Sequence, residues 1–297
     1  QWRSYSRKIL GKGEAVQPVH FPKFISIGGQ RSGTTWLHTT LAKHPSVFAL
    51  GRKEARYFTV DWVEEDISAY SRLFEVHFEN RNNLISGETT PGYALLPRHA
   101  IETIYNIKSD VKILYAIRNP VDQAWSLTKH MLNHQSFEFS NLEQNGGKLS
   151  LDKFIKQFLL DVIIASSDHE AILKRWLSVF PRENCFIYFF DELKESPEKL
   201  IENLQEFLGV VPKLSLSVLG GPNLLKQGLS GDIPDILLTF LRTLWRGRLN
   251  GLADYLNKSL NITVPNSWER DFVEPVFADD IKIHANPNSV DYYMKGG

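Results

Sequence analysis

Short apolar runs alternate with stretches of helical periodicity along the chain. The first run, Phe24–Ile27, ends at a glycine pair, and Thr34–Lys43 follows with apolar residues at helical spacing. His44-Pro45 closes this stretch. An apolar run, a glycine turn and a helix are the opening of a βα unit.

Two further runs repeat this order. Val111–Ile117 precedes an Arg-Asn-Pro turn and a helix through roughly Lys129, and Cys185–Phe190 precedes a helix that starts after Ser196-Pro197 and closes at Gly209. Strands that alternate with helices favour a parallel sheet covered on both faces. The sequence therefore predicts an α/β fold: a single domain with a central, mostly parallel sheet flanked by helices.

The remaining segments predict the domain boundaries. Residues 1–20 are polar and irregular and are predicted to be an N-terminal extension, which leaves 21–297 as the domain. Residues 137–150 are rich in Ser, Asn, Gly and Gln and predict an exposed loop. The apolar helical stretch 233–249 favours a packing helix over a membrane-surface or partner helix.

Charge and cysteine content limit the classes of function. Lys plus Arg and Asp plus Glu are 34 each, so the net charge is zero, whereas a general nucleic-acid binder usually carries a basic excess.

A single cysteine, Cys185, excludes an intrachain disulfide and favours a cytoplasmic location. No apolar run reaches about 18 residues, so no transmembrane segment is predicted. Residue 1 is Gln rather than Met, which keeps the Golgi lumen, after removal of a membrane anchor, as the alternative location.

The loop between the first strand and helix carries the clearest chemistry. It reads Gly28-Gly29-Gln30-Arg31-Ser32-Gly33-Thr34-Thr35-Trp36. Glycines let backbone N–H groups turn inward, and a helix N-terminus with two threonine hydroxyls completes an anion site of phosphate size. The alternative is a plain capped turn. Position 34 is Thr where a nucleotide-triphosphate P-loop has Lys, which disfavours a kinase.

This loop resembles the 5′-phosphosulfate loop, P-K-[ST]-G-T-T-W, of sulfotransferases that use 3′-phosphoadenosine 5′-phosphosulfate (PAPS). Arg stands in place of its Lys, as in carbohydrate and protein-tyrosine sulfotransferases. The resemblance implies that Arg31 contacts the phosphosulfate and its bridging oxygen, that Gly33, Thr34 and Thr35 bind the 5′-phosphate, and that Trp36 lies against the adenine. The implied cofactor-binding residues of the loop are Arg31, Ser32, Gly33, Thr34, Thr35 and Trp36.

A second segment, Arg118-Asn119-Pro120 with Ser126 eight residues after the arginine, resembles the family's 3′-phosphate motif. Arg can bind phosphate bidentately and Ser can add a donor. The glycine-rich segment that begins at Lys226 is similar to the family's later R-K-G-x-x-G-D-W segment. Lys226 and Gly228 are therefore candidate cofactor contacts, with an ordinary loop as the alternative.

The segment Arg52–Phe58 resembles the K-E-P-x-[FY]-F segment of heparan-type sulfotransferases, in which the Glu is the base. The resemblance implies Glu54 as general base, with Lys53 and Arg31 neutralising the sulfate; an ordinary surface ion pair is the alternative. Glu88, in a segment similar to E-K-T-P-x-Y, is the runner-up base. Histidines, among them His130, are further candidates.

These features predict a PAPS-dependent sulfotransferase that acts on a hydroxyl or amine of a carbohydrate or small natural product and releases adenosine 3′,5′-bisphosphate. No metal is expected, since His130 and His134 have helical spacing but no third ligand nearby. The alternatives are a non-catalytic nucleotide-binding protein of the same fold and, less favoured, a nucleotide-triphosphate-dependent kinase.

Overall fold

A parallel sheet organises the part of the chain that the computed structural model describes. The described residues are 20–51, 53–61, 67–78, 84–134, 160–219 and 235–272. The predicted loop at 137–150, residues 1–19 of the N-terminal extension and both Lys226 and Gly228 lie outside these ranges.

Five parallel strands form this sheet within the described ranges, in the order β2-β3-β1-β4-β5. The strands are β1 (Phe24–Gly28), β2 (Val47–Ala49), β3 (Ile85–Thr89), β4 (Lys112–Ile117) and β5 (Cys185–Phe189). Every residue of β1 is buried. The predicted fold class is confirmed.

The strand order reverses between β1 and β4, because the chain leaves β1 toward β2 and β3 and then returns to the other side of β1. The loops after β1 and β4 therefore lie side by side at the carboxyl edge of the sheet. In open α/β sheets such a reversal leaves a crevice in which ligands bind.

Helices cover both faces of the sheet. They are α1 (Thr34–Leu41), α2 (Ile67–Phe78), α3 (Arg98–Ile107), α4 (Pro120–His134), α5 (Asp161–Ser167), α6 (His169–Leu177), α7 (Phe190–Glu195), α8 (Pro197–Leu208), α9 (Leu216–Leu219) and α10 (Asp235–Leu260). A π-helical turn spans Tyr57–Asp61, and 3-10 turns span Pro91–Leu95, Arg182–Asn184 and Asn266–Asp271.

The apolar stretch near residue 240 is a packing helix, as expected. Leu237, Leu241 and Trp245 of α10 are buried against α4 and α5. Within the described ranges, no helix has both the length and the apolar content needed to cross a bilayer. The thiol of Cys185 is free and buried.

The connection from β5 to α8 has local features that the apolar pattern did not predict. Residues 190–195 form the short helix α7, and the Glu192 carboxylate caps it by accepting the N–H of Phe189 at 2.7 Å. Ser196 precedes Pro197 as expected, but its side chain caps no N–H of α8. Gly209, at φ 72°, ends α8 as predicted.

Candidate active site

The loop after β1 has backbone conformations that favour exposed N–H groups. Gly33 has φ 80° and Arg31 has φ 58°, both in the left-handed region. A Cβ on Gly33 would lie 2.7 Å from Cδ1 of Leu193, so this position has room for glycine only. Among the described residues no side chain caps the N-terminus of α1, which leaves its positive end open to an anion.

The two predicted phosphate motifs meet at one point. Nε of Arg31 donates to Oγ of Ser126 on α4 at 3.2 Å. A guanidinium nitrogen of Arg118 donates to the backbone carbonyl of Arg31 at 2.6 Å. The side chains assigned to the two ends of the nucleotide are therefore in direct contact across the β1–β4 crevice.

The surroundings of the Arg118 guanidinium favour the binding of an anion. Its guanidinium lies 4.7 Å from the centre of the Phe190 ring. Burial, with a smaller repulsion from Arg31, lowers the pKa of Arg118 to about 10, so the group stays charged at neutral pH. Within the described ranges its buried Nε atom has no hydrogen-bond partner. A buried donor without a partner is costly, and an anion would satisfy it.

A buried histidine supports the Arg118 backbone. Nε2 of His169 donates to the carbonyl of Arg118 at 2.8 Å, and Nδ1 accepts from the Tyr115 hydroxyl at 2.6 Å. Burial lowers the pKa of His169 to about 4, so the ring is neutral at neutral pH. Sequence reasoning missed this residue, since nothing in its local pattern points to Arg118.

Lys53 and Glu54 lie beside the phosphate loop, as expected for the acceptor side. Nζ of Lys53 donates to Oγ1 of Thr35 at 3.0 Å and lies 3.4 Å from the Glu54 carboxylate. Arg56 pairs with the other Glu54 oxygen at 3.0 Å. The Glu54 side chain is 33% exposed, so an acceptor can reach it.

A second histidine was also missed. His38 is buried one turn after Thr34 on α1, and its Nδ1 lies 3.3 Å from Oγ1 of Thr89. Burial, with a smaller effect of the Lys53 charge, lowers its pKa. Its i+4 spacing from Thr34 was the available signal, since residues four apart share one helix face.

Glu88, the runner-up base, lies inside the protein with 1% of its surface exposed. It accepts hydrogen bonds from the Tyr70 hydroxyl and, at 2.7 Å, from the Thr90 hydroxyl. Burial raises the pKa of the Glu88 carboxyl, while these bonds oppose the rise. An acceptor cannot reach this carboxylate in the structure. Of the histidine candidates, His130 is exposed on α4.

Further residues of the predicted cofactor set have buried side chains. Thr34 is buried at the start of α1, and Ser32 is buried with its hydroxyl donating to the Gln30 carbonyl at 3.3 Å. The Trp36 side chain is 1% exposed and packs in the core with Phe24 and Tyr188, because the apolar face of α1 must cover the sheet. Its contact with an adenine stays a prediction.

The 3-10 turn Asn266–Asp271 closes the site from the C-terminal side. The buried carboxylate of Asp271 accepts from Asn119 and from Arg242, each at 2.8 Å. Arg270 pairs with Asp122 of α4 at 2.9 Å. Sequence reasoning assigned nothing to this turn. In the part of the chain covered by the structure, no three His, Cys, Asp or Glu side chains are grouped to hold a metal ion.

Known proteins share this arrangement. A family model described as "Sulfotransferase domain" matches residues 21–216. The human bifunctional heparan sulfate N-deacetylase/N-sulfotransferase 2 is 27% identical over 214 residues, which cover 65% of this chain and 22% of the relative. The membrane-associated sulfotransferase kil1 of Dictyostelium discoideum is 23% identical over 266 residues, covering 64% of this chain and 56% of that protein. The chain thus spans about a fifth of the length of the heparan-type relatives.

Solved structures agree with the family match. The sulfotransferase from Alicyclobacillus acidocaldarius superposes with a TM-score of 0.63 at 23% identity, over 85% of this chain and 100% of that one. This likeness shows a common fold. With the family model matching 21–216, more than half of the chain, the protein belongs to the sulfotransferase-domain family.

Proposed function

We propose that this protein transfers a sulfuryl group from PAPS to a hydroxyl or amine of an acceptor, a carbohydrate or small natural product. The observation that carries the proposal is the meeting of Arg31, Arg118 and Ser126 at the β1–β4 crevice. The Arg118 guanidinium lies against the Arg31 backbone and is repelled by the Arg31 charge, so an anion beside both side chains would be attracted by each. A nucleotide with phosphates at both its 3′ and 5′ positions supplies two such anions.

The residues present fit this donor. The open N-terminus of α1, Thr34 and Thr35 would hold the 5′-phosphate, and Arg118 with Ser126 would hold the 3′-phosphate. The buried, unpartnered Nε of Arg118 is the observation that favours a bound anion among the described residues. The bound donor supplies an activated sulfuryl group on a phosphate leaving group.

The acceptor side supplies proton removal and positive charge. Glu54 is partly exposed and would take the proton from the acceptor nucleophile. Lys53, fixed by Thr35 at 3.0 Å, and Arg31 would stabilise the negative charge that grows on the leaving phosphate. Lys53 and Arg56 also pair with the two oxygens of the Glu54 carboxylate, at 3.4 Å and 3.0 Å, and these contacts orient the side chain.

The test is transfer of label from ³⁵S-labelled PAPS to a panel of acceptors. The panel includes N-desulfated heparan, because the human relative is named a heparan sulfate N-sulfotransferase, together with hydroxyl-bearing sugars and phenols. We expect label transfer to at least one acceptor and, since no metal is expected, survival of activity in excess EDTA.

Binding measurements separate the alternatives. Thermal shift should show stabilisation by adenosine 3′,5′-bisphosphate and little by ATP with magnesium. Bisphosphate binding without transfer to any acceptor would indicate a non-catalytic nucleotide-binding protein. Stabilisation by ATP with magnesium alone, or a strict magnesium requirement, would favour a kinase.

A further inference from the structure

The segment that carries Glu54 has an unfavourable backbone. Glu54 has φ 66° and Arg56 has φ 57°, although neither is glycine. Side-chain-bearing residues adopt this left-handed region at a cost, and they keep it only where surrounding contacts fix it. The segment 54–56 therefore needs a partner that holds it.

That partner is the end of β3 and the residue after it. The N–H of Glu54 donates to the Thr89 carbonyl at 2.9 Å. The N–H of Ala55 donates to the Glu88 carboxylate, and the N–H of Arg56 lies 3.4 Å from Oγ1 of Thr90. Three consecutive amides thus bond to three consecutive residues, and one of the acceptors is a carboxylate.

The Glu88 carboxylate is itself fixed. Tyr70 and Thr90 donate to its two different oxygens, and Tyr93 bonds to it as well. Tyr70 and Tyr93 are fully buried. The Thr90 hydroxyl both donates to Glu88 and faces the Arg56 N–H, so the network links Glu88 to two of the three amides.

We propose that Glu88 is a positioning residue for the catalytic Glu54: its buried carboxylate holds the 54–56 backbone so that the Glu54 side chain lies beside Lys53. The inference rests on the proposed role of Glu54 as base. It also gives a reason for a fully buried carboxylate beside an active site, since an ionised acceptor binds amide and hydroxyl donors more strongly than a neutral one.

The first experiment needs no substrate. Amide hydrogen exchange of the free protein compares wild type with Glu88→Gln. We expect exchange at Ala55 and Arg56 to speed up by about ten-fold or more, while the amides of β1 and β4 keep their protection. Glu198→Gln is the matched control, because the Glu198 carboxylate also accepts a backbone N–H, that of Leu216 at 2.8 Å, away from this site. Unchanged exchange at Ala55 and Arg56 would overturn the proposal.

The second experiment is a double-mutant cycle on turnover with Glu54→Gln and Glu88→Gln. Misplacing a catalytic group by about 1 Å can cost about 100-fold, so we expect Glu88→Gln to lower kcat by about 10- to 100-fold with a small change in KM. In the Glu54→Gln background it should add no further loss, because Glu88 acts through Glu54. If the double variant instead lost kcat by the product of the two single-variant factors, Glu88 would act independently of Glu54.

The pH profile separates positioning from proton removal. The acidic limb of kcat/KM should persist in Glu88→Gln and disappear in Glu54→Gln. Loss of the limb in Glu88→Gln alone would make Glu88 the base. Should Glu88→Gln fail to fold, Thr90→Val removes one hydroxyl from the network, and Thr90→Ser should restore kcat. A protein that transfers no sulfuryl group but shows the exchange change would refute the proposed function and leave the Glu88 contact standing.

Discussion

The guanidinium of Arg118 uses only some of its donors within the described residues. One guanidinium nitrogen donates to the Arg31 carbonyl, and the guanidinium lies 4.7 Å from the centre of the Phe190 ring. Nε has no hydrogen-bond partner in the described part of the chain. A charge-assisted hydrogen bond is worth about 1.5–3 kcal/mol. Arg118→Ala should therefore bind adenosine 3′,5′-bisphosphate at least about ten-fold more weakly in titration calorimetry.

The same substitution should leave the affinity for 5′-AMP nearly unchanged, because that nucleotide has no 3′-phosphate. Arg98→Ala is the control, since Arg98 of α3 pairs with the exposed side chains of Glu102 and Ser178. Equal losses of affinity for both nucleotides in Arg118→Ala would contradict the assignment of Arg118 to the 3′-phosphate.

His169 gives the protein a predicted pH dependence. Its pKa in the folded state is about 4, against about 6.5 in an unfolded chain. Between these values the unfolded state binds more protons, so the free energy of unfolding should fall as pH falls from about 6.5 to about 4, by up to about 1.4 kcal/mol per pH unit.

Urea unfolding at a series of pH values measures this slope. His169→Gln keeps a donor toward the Arg118 carbonyl but cannot titrate, so its slope in this window should be smaller than that of wild type. His99→Gln, at an exposed position of α3, removes a histidine without touching the Tyr115–His169 pair. An equal slope in wild type and His169→Gln would rule out His169 as the source.

Sequence spacing indicated residues in the loops that follow strands, and it failed for those brought in from afar. Arg118 comes directly after an apolar run, and Arg31 lies in the glycine-containing loop between such a run and a helix. His169 lies 51 residues from Arg118, and no local pattern links the two. The burial of Trp36 was not predicted for a different reason: a resemblance assigns a residue a role, whereas its burial depends on which helix face covers the sheet.

At the scale of elements, the glycine before α1 should resist replacement. Gly33 combines a positive φ with a Cβ position only 2.7 Å from Leu193, which is itself buried. Gly33→Ala should lower the free energy of unfolding by about 1–3 kcal/mol and weaken bisphosphate binding, because the loop would have to move.

Gly247 in α10 is the matched comparison. A Cβ there meets nothing within 4 Å, and the residue is exposed in a helix. Gly247→Ala should stabilise the protein by about 0.5–1 kcal/mol. Denaturant unfolding of both variants measures the change in the free energy of unfolding, which should be negative for Gly33→Ala and positive for Gly247→Ala. If Gly33→Ala stabilised the protein, the loop would tolerate a side chain at this position.

The elements themselves were predictable where apolar runs were uninterrupted. β1, β4 and β5 are such runs, and their predicted bounds differ from the observed ones by one residue. β3 was not predicted, because it contains Ser86, Glu88 and Thr89, buried polar residues that interrupt the apolar pattern. β2 has only three residues, too few for a periodicity. Two of these polar residues, Glu88 and Thr89, also bond the 54–56 segment.

At the scale of the whole molecule, the C-terminal turn connects three distant parts of the chain. Asp271 bonds Asn119, next to Arg118, and Arg242 of α10. Asp191, at the start of α7, accepts from Ser267 at 2.7 Å and from the Trp268 indole at 3.2 Å. These contacts span up to 152 residues of sequence, which is why sequence patterns did not reveal the turn.

Removing the Asp271 carboxylate should therefore affect the stability of the whole fold. Asp271→Ala leaves Asn119 and Arg242 without their acceptor, and an unsatisfied buried polar group costs about 1–3 kcal/mol. The control is Asp254→Ala in the same helix as Arg242, since Asp254 forms an exposed i,i+4 pair with Lys258 and such pairs contribute little. In urea unfolding, Asp271→Ala should unfold in a single transition with a clearly lower free energy of unfolding than wild type. Asp254→Ala should have almost the same free energy of unfolding as wild type. A separate early transition in wild type would mean that the C-terminal turn unfolds independently of the sheet, and the loss in Asp271→Ala would then be confined to that turn.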